Sequence, residues 1–273
     1  HLSIRRHRQM CIRDSHSPIL LLFVPLSLDR LEAYPTVMST EGIFRRRHLP
    51  HWDVAGHPIF ITACLDGSIG AAGLKKIRDY RAELDAQPRP SGLSEEEWEL
   101  RKNKLVFAVV DDLLDHHSPV RYLADERQAK IVQDAFLHFA GERYKLLAFV
   151  VMPSHHHWLF LTDEEWAANA VKLSGAGGKK KKSPREIISH SIQSYTANMC
   201  NRVRGETGTY WQTETFDHWA RDDDERLRII DYIERNPVAA GLVLKPEDWP
   251  WSSARLRSLT GVERGGALFK TVG

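Results

Sequence analysis

The stretch KLLAFVVMPSHHHWLFLT (residues 145–162) decides how the chain is read. Residues 145–152 are a nearly unbroken apolar run, as expected of a central strand. Pro153 and Ser154 interrupt it, and a further strand is expected over 155–162. Side chains alternate faces along a strand, so His155 and His157 share one face and His156 points to the other. Two imidazoles roughly 6–7 Å apart on one pleat face can share a metal ion if a third ligand comes from another element. On spacing alone the motif stays open, because histidines at a strand end can equally be hydrogen-bonded and nothing more.

Upstream, Asp125 caps a helix whose inward stripe is Ala129, Val132, Phe136 and Phe139, ending at Gly141. Ser94 with Glu97 forms a capping box for an earlier helix carrying Trp98, Leu105, Val109 and Leu113 on one side. The run PIFITAC (residues 58–64), followed by Asp66 and Gly67, reads as a buried strand and a turn. Residues 68–93 are mixed, broken by Pro88, Pro90 and Gly92. Downstream, SGAGGKKKK (174–182) is a flexible cationic linker by composition. Ser183, Pro184 and Glu186 then start a helix expected to bury Ile188, Ile192, Tyr195 and Met199. A last helix is expected over 223–236, limited by Pro237. Few, hairpin-like strands among helices predict an α+β fold with a small antiparallel sheet and packed helices.

The composition suits a globular protein: of 273 residues, 42% are hydrophobic and 27% charged. A formal net charge of +2 excludes an overall basic field, so nucleic acid would have to be met by local patches. Arg45, Arg46 and Arg47, Lys75 and Lys76, and Lys179 to Lys182 are such patches, each also readable as a solvated surface run. Cys11, Cys64 and Cys200 are odd in number and widely spaced, which fits neither a disulfide scaffold nor a cysteine zinc site and points to a reducing, cytoplasmic compartment. The apolar run at 18–28 is too short to span a bilayer and is interrupted by Pro25, so no membrane partner is expected. Residues 1–37 are expected to be a non-native or disordered leader, with the natural start at Met38.

Two tyrosines compete as a nucleophile. Tyr195 falls on the stripe with Ile188 and Ile192 and reads as core. On the last helix, Leu227, Ile230 and Ile233 form an apolar sector, while Tyr232 and Asn236 stack on another at i, i+4. By itself this pair is equally an ordinary boundary tyrosine and a helix-ending Asn-Pro.

The histidine strand resembles the HUH motif of single-tyrosine transposases, in which two histidines flank a hydrophobic residue. The nearest resemblance is to the REP-associated tyrosine transposases. It extends over HLPHWDVAGHPIFIT, ERQAKIVQDAFLHFAGERYKLLAFVVMPSHHHW, SPREIISHSIQSYTANMCNRVRG, WQTETFDHWARDDD, DYIERNPVAAGLV and DWPWSSA, in the family's order, over most of residues 48–255. The chain departs from the pattern at His156, where an apolar residue is usual. The resemblance implies a ferredoxin-like domain, with the nuclease core over 119–255 joined by 48–66, an N-terminal strand and helical insertion within 38–118, and a tail over 256–273. It implies that Tyr232 is the nucleophile and that Asn236 joins His155 and His157 on a divalent metal, Mg2+ or Mn2+.

The implied activity is cutting and rejoining of single-stranded DNA through a 5′-phosphotyrosine, on palindromic hairpins, in a bacterial cytoplasm at the nucleoid, as a monomer or homodimer. Arg45, Arg46, Arg47, Lys179, Lys180 and Trp211 are candidate DNA contacts, cations for the backbone and an aromatic face for bases. Asp217 and His218 are candidates to support the site from behind, with a structural role the preferred reading for both. A catalytically inactive hairpin-binding protein, or an unrelated metal-dependent hydrolase using the histidines, are the competing readings.

Overall fold

The computed structural model describes residues 43–46, 50–53, 55–174, 182–213 and 215–269. Two short strands, β1 (Ile43–Arg46) and β2 (Pro50–Asp53), pair antiparallel within the basic lead-in. Arg45 and Arg46 thus lie on β1. Arg47, Lys179, Lys180 and the leader lie outside the described residues.

The apolar run after Pro58 forms β3 (Ile59–Cys64), buried along its whole length. Helices α1 (Ala71–Ala86) and α2 (Glu95–His116) follow and pack on each other. α1 lies where the sequence looked mixed. α2 opens with the expected capping box, in which Ser94 and Glu97 each satisfy the other's backbone N–H. A short 3-10 turn, Tyr122–Ala124, leads to α3 (Glu126–His138), capped by Asp125. Strands β4 (Tyr144–Val151) and β5 (His155–Thr162) form the central hairpin. Then come α4 (Glu164–Ser174), α5 (Pro184–Arg204), β6 (Phe216–Trp219), α6 (Asp223–Ala239) and α7 (Ser253–Thr260). Among the described residues, no helix is long and apolar enough to cross a membrane.

The sheet has the order β4-β5-β3-β6, with every pairing antiparallel. β3, first of the four in sequence, lies inside, and β4, the second, lies at the edge. This is the βαββαβ arrangement of a ferredoxin-like domain, and the α+β class expected from the sequence. Register sets Thr62 opposite His157 and Cys64 opposite His155.

Helices lie on both faces. α3 and α5 cover one, where Trp158 stacks between Phe136 and Phe160 (centroids 4.8 and 4.2 Å) above Ile188 and Ile192. Each such buried side chain contributes about 1.5–3 kcal/mol. α2 and α6 approach the other face, where Phe107 meets Phe60, Phe216 and Tyr232.

Two helical expectations are corrected. Tyr195 is 52% exposed, because the buried stripe of α5 runs through Ile188, Ile192, Thr196 and Cys200 instead. Polar Thr196 takes the inward position because its hydroxyl bonds Ile192 O and receives Trp211 Nε1–H. α6 does not stop at Asn236 but continues through Pro237 to Ala239. Proline forfeits one backbone bond, and Ala240 and Leu242 N–H still close the last turn onto Asn236 O and Pro237 O.

The outer margin of β4 is finished by the chain's own C-terminal part. Val151 N–H bonds Trp251 O (2.8 Å), Leu268 N–H bonds Leu146 O (2.8 Å), and Ser253 Oγ receives Phe149 N–H.

Candidate metal centre

Alternation along β5 works as read from the sequence. His155 and His157 turn toward α2 and α6, while His156 faces the opposite core, edge-on to Phe136 (5.1 Å) and Trp211 (4.9 Å). All three are buried. Burial, then the neighbouring His157, pushes the His156 imidazole down to about 3, so it sits there neutral.

The outer two imidazoles bring Nε2 to within 3.1 Å of Nε2. Two nitrogens this close need a proton or a cation between them, and ligands each about 2.1 Å from one ion sit at about that separation. Their other nitrogens are fixed from behind. Ser154 gives its hydroxyl proton to Leu114 O (2.8 Å), so its oxygen accepts from His155 Nδ1–H (2.9 Å). That bond assigns the tautomer and leaves His155 Nε2 a lone pair for a ligand. Thr62 Oγ1 stands 2.7 Å from His157 Nδ1 and holds that ring from the β3 side. Burial, then His157, holds the His155 pKa well below its usual value, which keeps it unprotonated.

Two helices complete the cluster. α6 brings Tyr232, its hydroxyl 3.5 Å from His157 Nε2, and Asn236, its amide nitrogen 3.4 Å from the same atom. Asn236 is buried and Tyr232 half-buried. α2 brings Asp111, whose Oδ1 is 3.3 Å from His157 Nε2 and whose Oδ2 accepts the Tyr232 hydroxyl at 2.6 Å. Asp111, His155 and His157 offer ligand atoms that all lie within 4.8 Å of one another. Asp115, one turn on, has Oδ1 3.7 Å from His155 Nε2.

The donor chemistry fits a divalent ion. The buried oxygens Asp111 Oδ1, Asp115 Oδ1 and Asn236 Oδ1 have no hydrogen-bond partner among the described residues. Buried polar atoms are normally paired, and three orphans around two imidazoles are the environment a cation satisfies. Without an ion, burial raises the Asp111 carboxyl but contact with His157, with smaller help from His155 and Tyr232, holds it below the usual range. Burial, then the charge of Asp111, pushes Asp115 up to about 8. Burial, then the Asp111 carboxylate that accepts its proton, holds the Tyr232 phenol well above its ordinary value.

Asp111 and Asp115 were missed in the sequence. The available signal was a carboxylate inside an apolar stripe, Phe107, Asp111 and Leu114, at spacings of one helical turn. Of the other expectations, Asp217 pairs with Arg185 (2.9 Å) and His218 with Glu225 (2.9 Å), away from the cluster. Trp211 is 7% exposed and donates to Thr196 Oγ1, so its ring offers no face to a base.

α6 is anchored from its far side. Glu234, 3% exposed, accepts from Ser253 Oγ (2.8 Å) and Arg257 Nε (2.9 Å). Arg257 also donates to Glu263 O, Gly266 O and Leu147 O, the last at the irregularity where β4 shifts register. This network ties the helix bearing Tyr232 and Asn236 to the sheet bearing the histidines.

No family model matches the chain. An uncharacterized protein of Haemophilus influenzae is 27% identical over 94 residues, 33% of this chain, and the match spans about half (52%) of that relative's length. A solved structure of a REP-associated tyrosine transposase bound to a REP hairpin has 16% sequence identity and a TM-score of 0.43, covering 81% of this chain and 90% of that one.

Proposed function

We propose that the chain is a metal-dependent strand transferase for single-stranded DNA, with Tyr232 as nucleophile. The observation that carries this reading is the convergence of a phenol, a carboxylate and two imidazoles: Tyr232 Oη lies 2.6 Å from Asp111 Oδ2 and 3.5 Å from His157 Nε2. The sequence resemblance to single-tyrosine transposases supplies the substrate class.

Asp111, His155 and His157 would hold Mg2+ or Mn2+, with the Asn236 amide oxygen as a further donor, and the ion would draw charge from the nonbridging oxygens of the scissile phosphate. The chain's own groups do the rest. Tyr232 Oη forms a bond to phosphorus as the bond from phosphorus to the 3′ oxygen breaks. The phenol proton passes to Asp111 Oδ2, already its hydrogen-bond acceptor, and the departing 3′ oxygen takes a proton from solvent. The products are a 5′-phosphotyrosine and a 3′-hydroxyl, and the covalent link conserves the phosphoester for rejoining. Ser154 and Thr62 keep the imidazoles turned inward, and Glu234 with Arg257 keeps α6 in place.

Incubation with a hairpin oligonucleotide carrying single-stranded flanks, in Mn2+, tests this directly. A denaturation-resistant protein–DNA adduct that Tyr232→Phe abolishes is the expected result. Tight binding with no adduct would leave a hairpin-binding protein without chemistry, and turnover that survives Tyr232→Phe would leave a metal-dependent hydrolase.

A further inference from the structure

We infer that Tyr122 and Arg121 form a landing for one unpaired nucleotide of the DNA strand beside the metal centre, the tyrosine ring stacking on the base and the guanidinium meeting a phosphate. This rests on the reading above, and adds where the strand goes as it leaves the histidines.

The first support is position. The 3-10 turn Tyr122–Ala124 is bonded to the turn that launches the histidine strand, Leu123 N–H to Pro153 O at 3.1 Å. The next residue, Ser154, holds His155. A ring on this turn is therefore fixed relative to the first ligand.

The second is the platform itself. Tyr122 is 36% exposed, while the Arg204 guanidinium lies over its ring at 3.4 Å and the buried Tyr210 ring stands 6.3 Å from it. A ring held this way is already ordered, so stacking a base on its exposed part costs little further rotamer entropy. Trp211, the aromatic that the sequence offered for this task, is buried.

The third is charge. Arg121 is exposed, and its guanidinium makes no hydrogen bond or ion pair among the described residues. The segment SPVRYLA (residues 118–124) has no acidic side chain to repel a phosphate. An exposed cation beside a backed aromatic ring is the pairing that single-stranded nucleic acid uses.

The test is fluorescence polarisation with a labelled DNA stem-loop bearing thymidine flanks on both sides, and a matching set with one flank base removed at each position in turn. The stem fixes the register of the flanks. Tyr122→Ala should weaken binding about five- to a hundredfold, while Tyr122→Phe, which keeps the ring, should bind as wild type. One abasic position should weaken wild type to a similar degree and leave Tyr122→Ala unchanged. Arg121→Ala should flatten the salt dependence of binding. Equal binding by Tyr122→Ala and wild type, with no abasic position separating them, overturns the inference. So does a preference for the RNA version of the same stem-loop. Failure of the two readings can be told apart: an adduct on Tyr232 with Tyr122→Ala binding normally sinks the landing alone, and a Tyr122-dependent affinity without any adduct sinks the chemistry alone.

Discussion

Asp111 and Tyr232 are joined by a 2.6 Å hydrogen bond that spans 121 residues of sequence, and Lys104 and Glu225 meet at 3.5 Å across the same 121. The equal spans mean that α2 and α6 run side by side in one register, with two polar rungs. The upper rung is a charge pair held further by His218 and Arg221. The lower one carries the proposed nucleophile. α2 thus serves the site as directly as the histidine strand does.

Replacing Asp111 with Asn keeps the shape of the lower rung and removes its charge. Adduct formation is expected to fall by about a hundredfold or more, in line with loss of a positioned proton acceptor, and Mn2+ affinity by about tenfold. Single-turnover gels and Mn2+ titration followed by electron paramagnetic resonance report the two losses separately. Unchanged rates would remove Asp111 from the mechanism.

Divalent metal should stabilise the fold, since at the proposed site it would satisfy orphaned oxygens on two helices and nitrogens on the sheet. At a hundredfold excess over its dissociation constant, Mn2+ contributes about 2.7 kcal/mol, a rise of roughly 5–10 °C in Tm for a chain of this size. Chelation should reverse the shift. His155→Ala and His157→Ala should each remove it, and an unaltered shift in both would place the ion elsewhere.

His156 behaves as a core residue, and its Nδ1 has no hydrogen-bond partner among the described residues. His156→Leu should therefore be neutral or stabilising by about 1 kcal/mol and should leave Mn2+ affinity untouched. The pH dependence has a definite sign. A histidine depressed to about 3 binds its proton only in the unfolded chain between that value and about 6.5. Its contribution is present above about pH 6.5 and is lost as pH falls toward 3, on the order of a few kcal/mol. In chelator, His156→Leu should hold its urea midpoint through this acid range better than wild type. Parallel acid limbs for the two proteins would contradict this account.

Glu234→Gln leaves Arg257 buried without its anion. Breaking one side of a buried pair costs about 3–5 kcal/mol, to be read from urea unfolding. Because α6 is released from the sheet, the adduct rate should fall by more than Mn2+ affinity, since Asp111, His155 and His157 are not on that helix. Arg257→Lys, which keeps the charge and loses the fork of donors, should show the same split more mildly. Equal losses of rate and metal affinity would indicate general unfolding.

Much of the candidate site's geometry was legible because strands and helices repeat on short periods. Two positions of β5 are enough to set His155 and His157 on one face, and one helical turn sets Tyr232 beside Asn236. Asp111 was not legible, because a lone carboxylate on an amphipathic helix gains its meaning from a strand more than forty residues away (111 against 155 and 157). Tyr195 and Trp211 went wrong for a shared reason. Thr196 took the inward place beside them and accepted the indole N–H, which turned the phenol out and the indole in. β6 and α7 were missed because each is short, and what holds them is pairing with β3 and the bonds to β4 rather than any local pattern.

The finished margin of β4 has a consequence for assembly. Amides at Phe149 and Val151 and carbonyls at Leu146 and Leu147 are already spent on residues 251–268, so that border has few groups left to recruit a foreign strand. Two copies cannot merge their sheets there into one continuous ribbon without first peeling away α7 and the residues around it. This border is thereby shielded from the edge-to-edge growth that seeds fibrils.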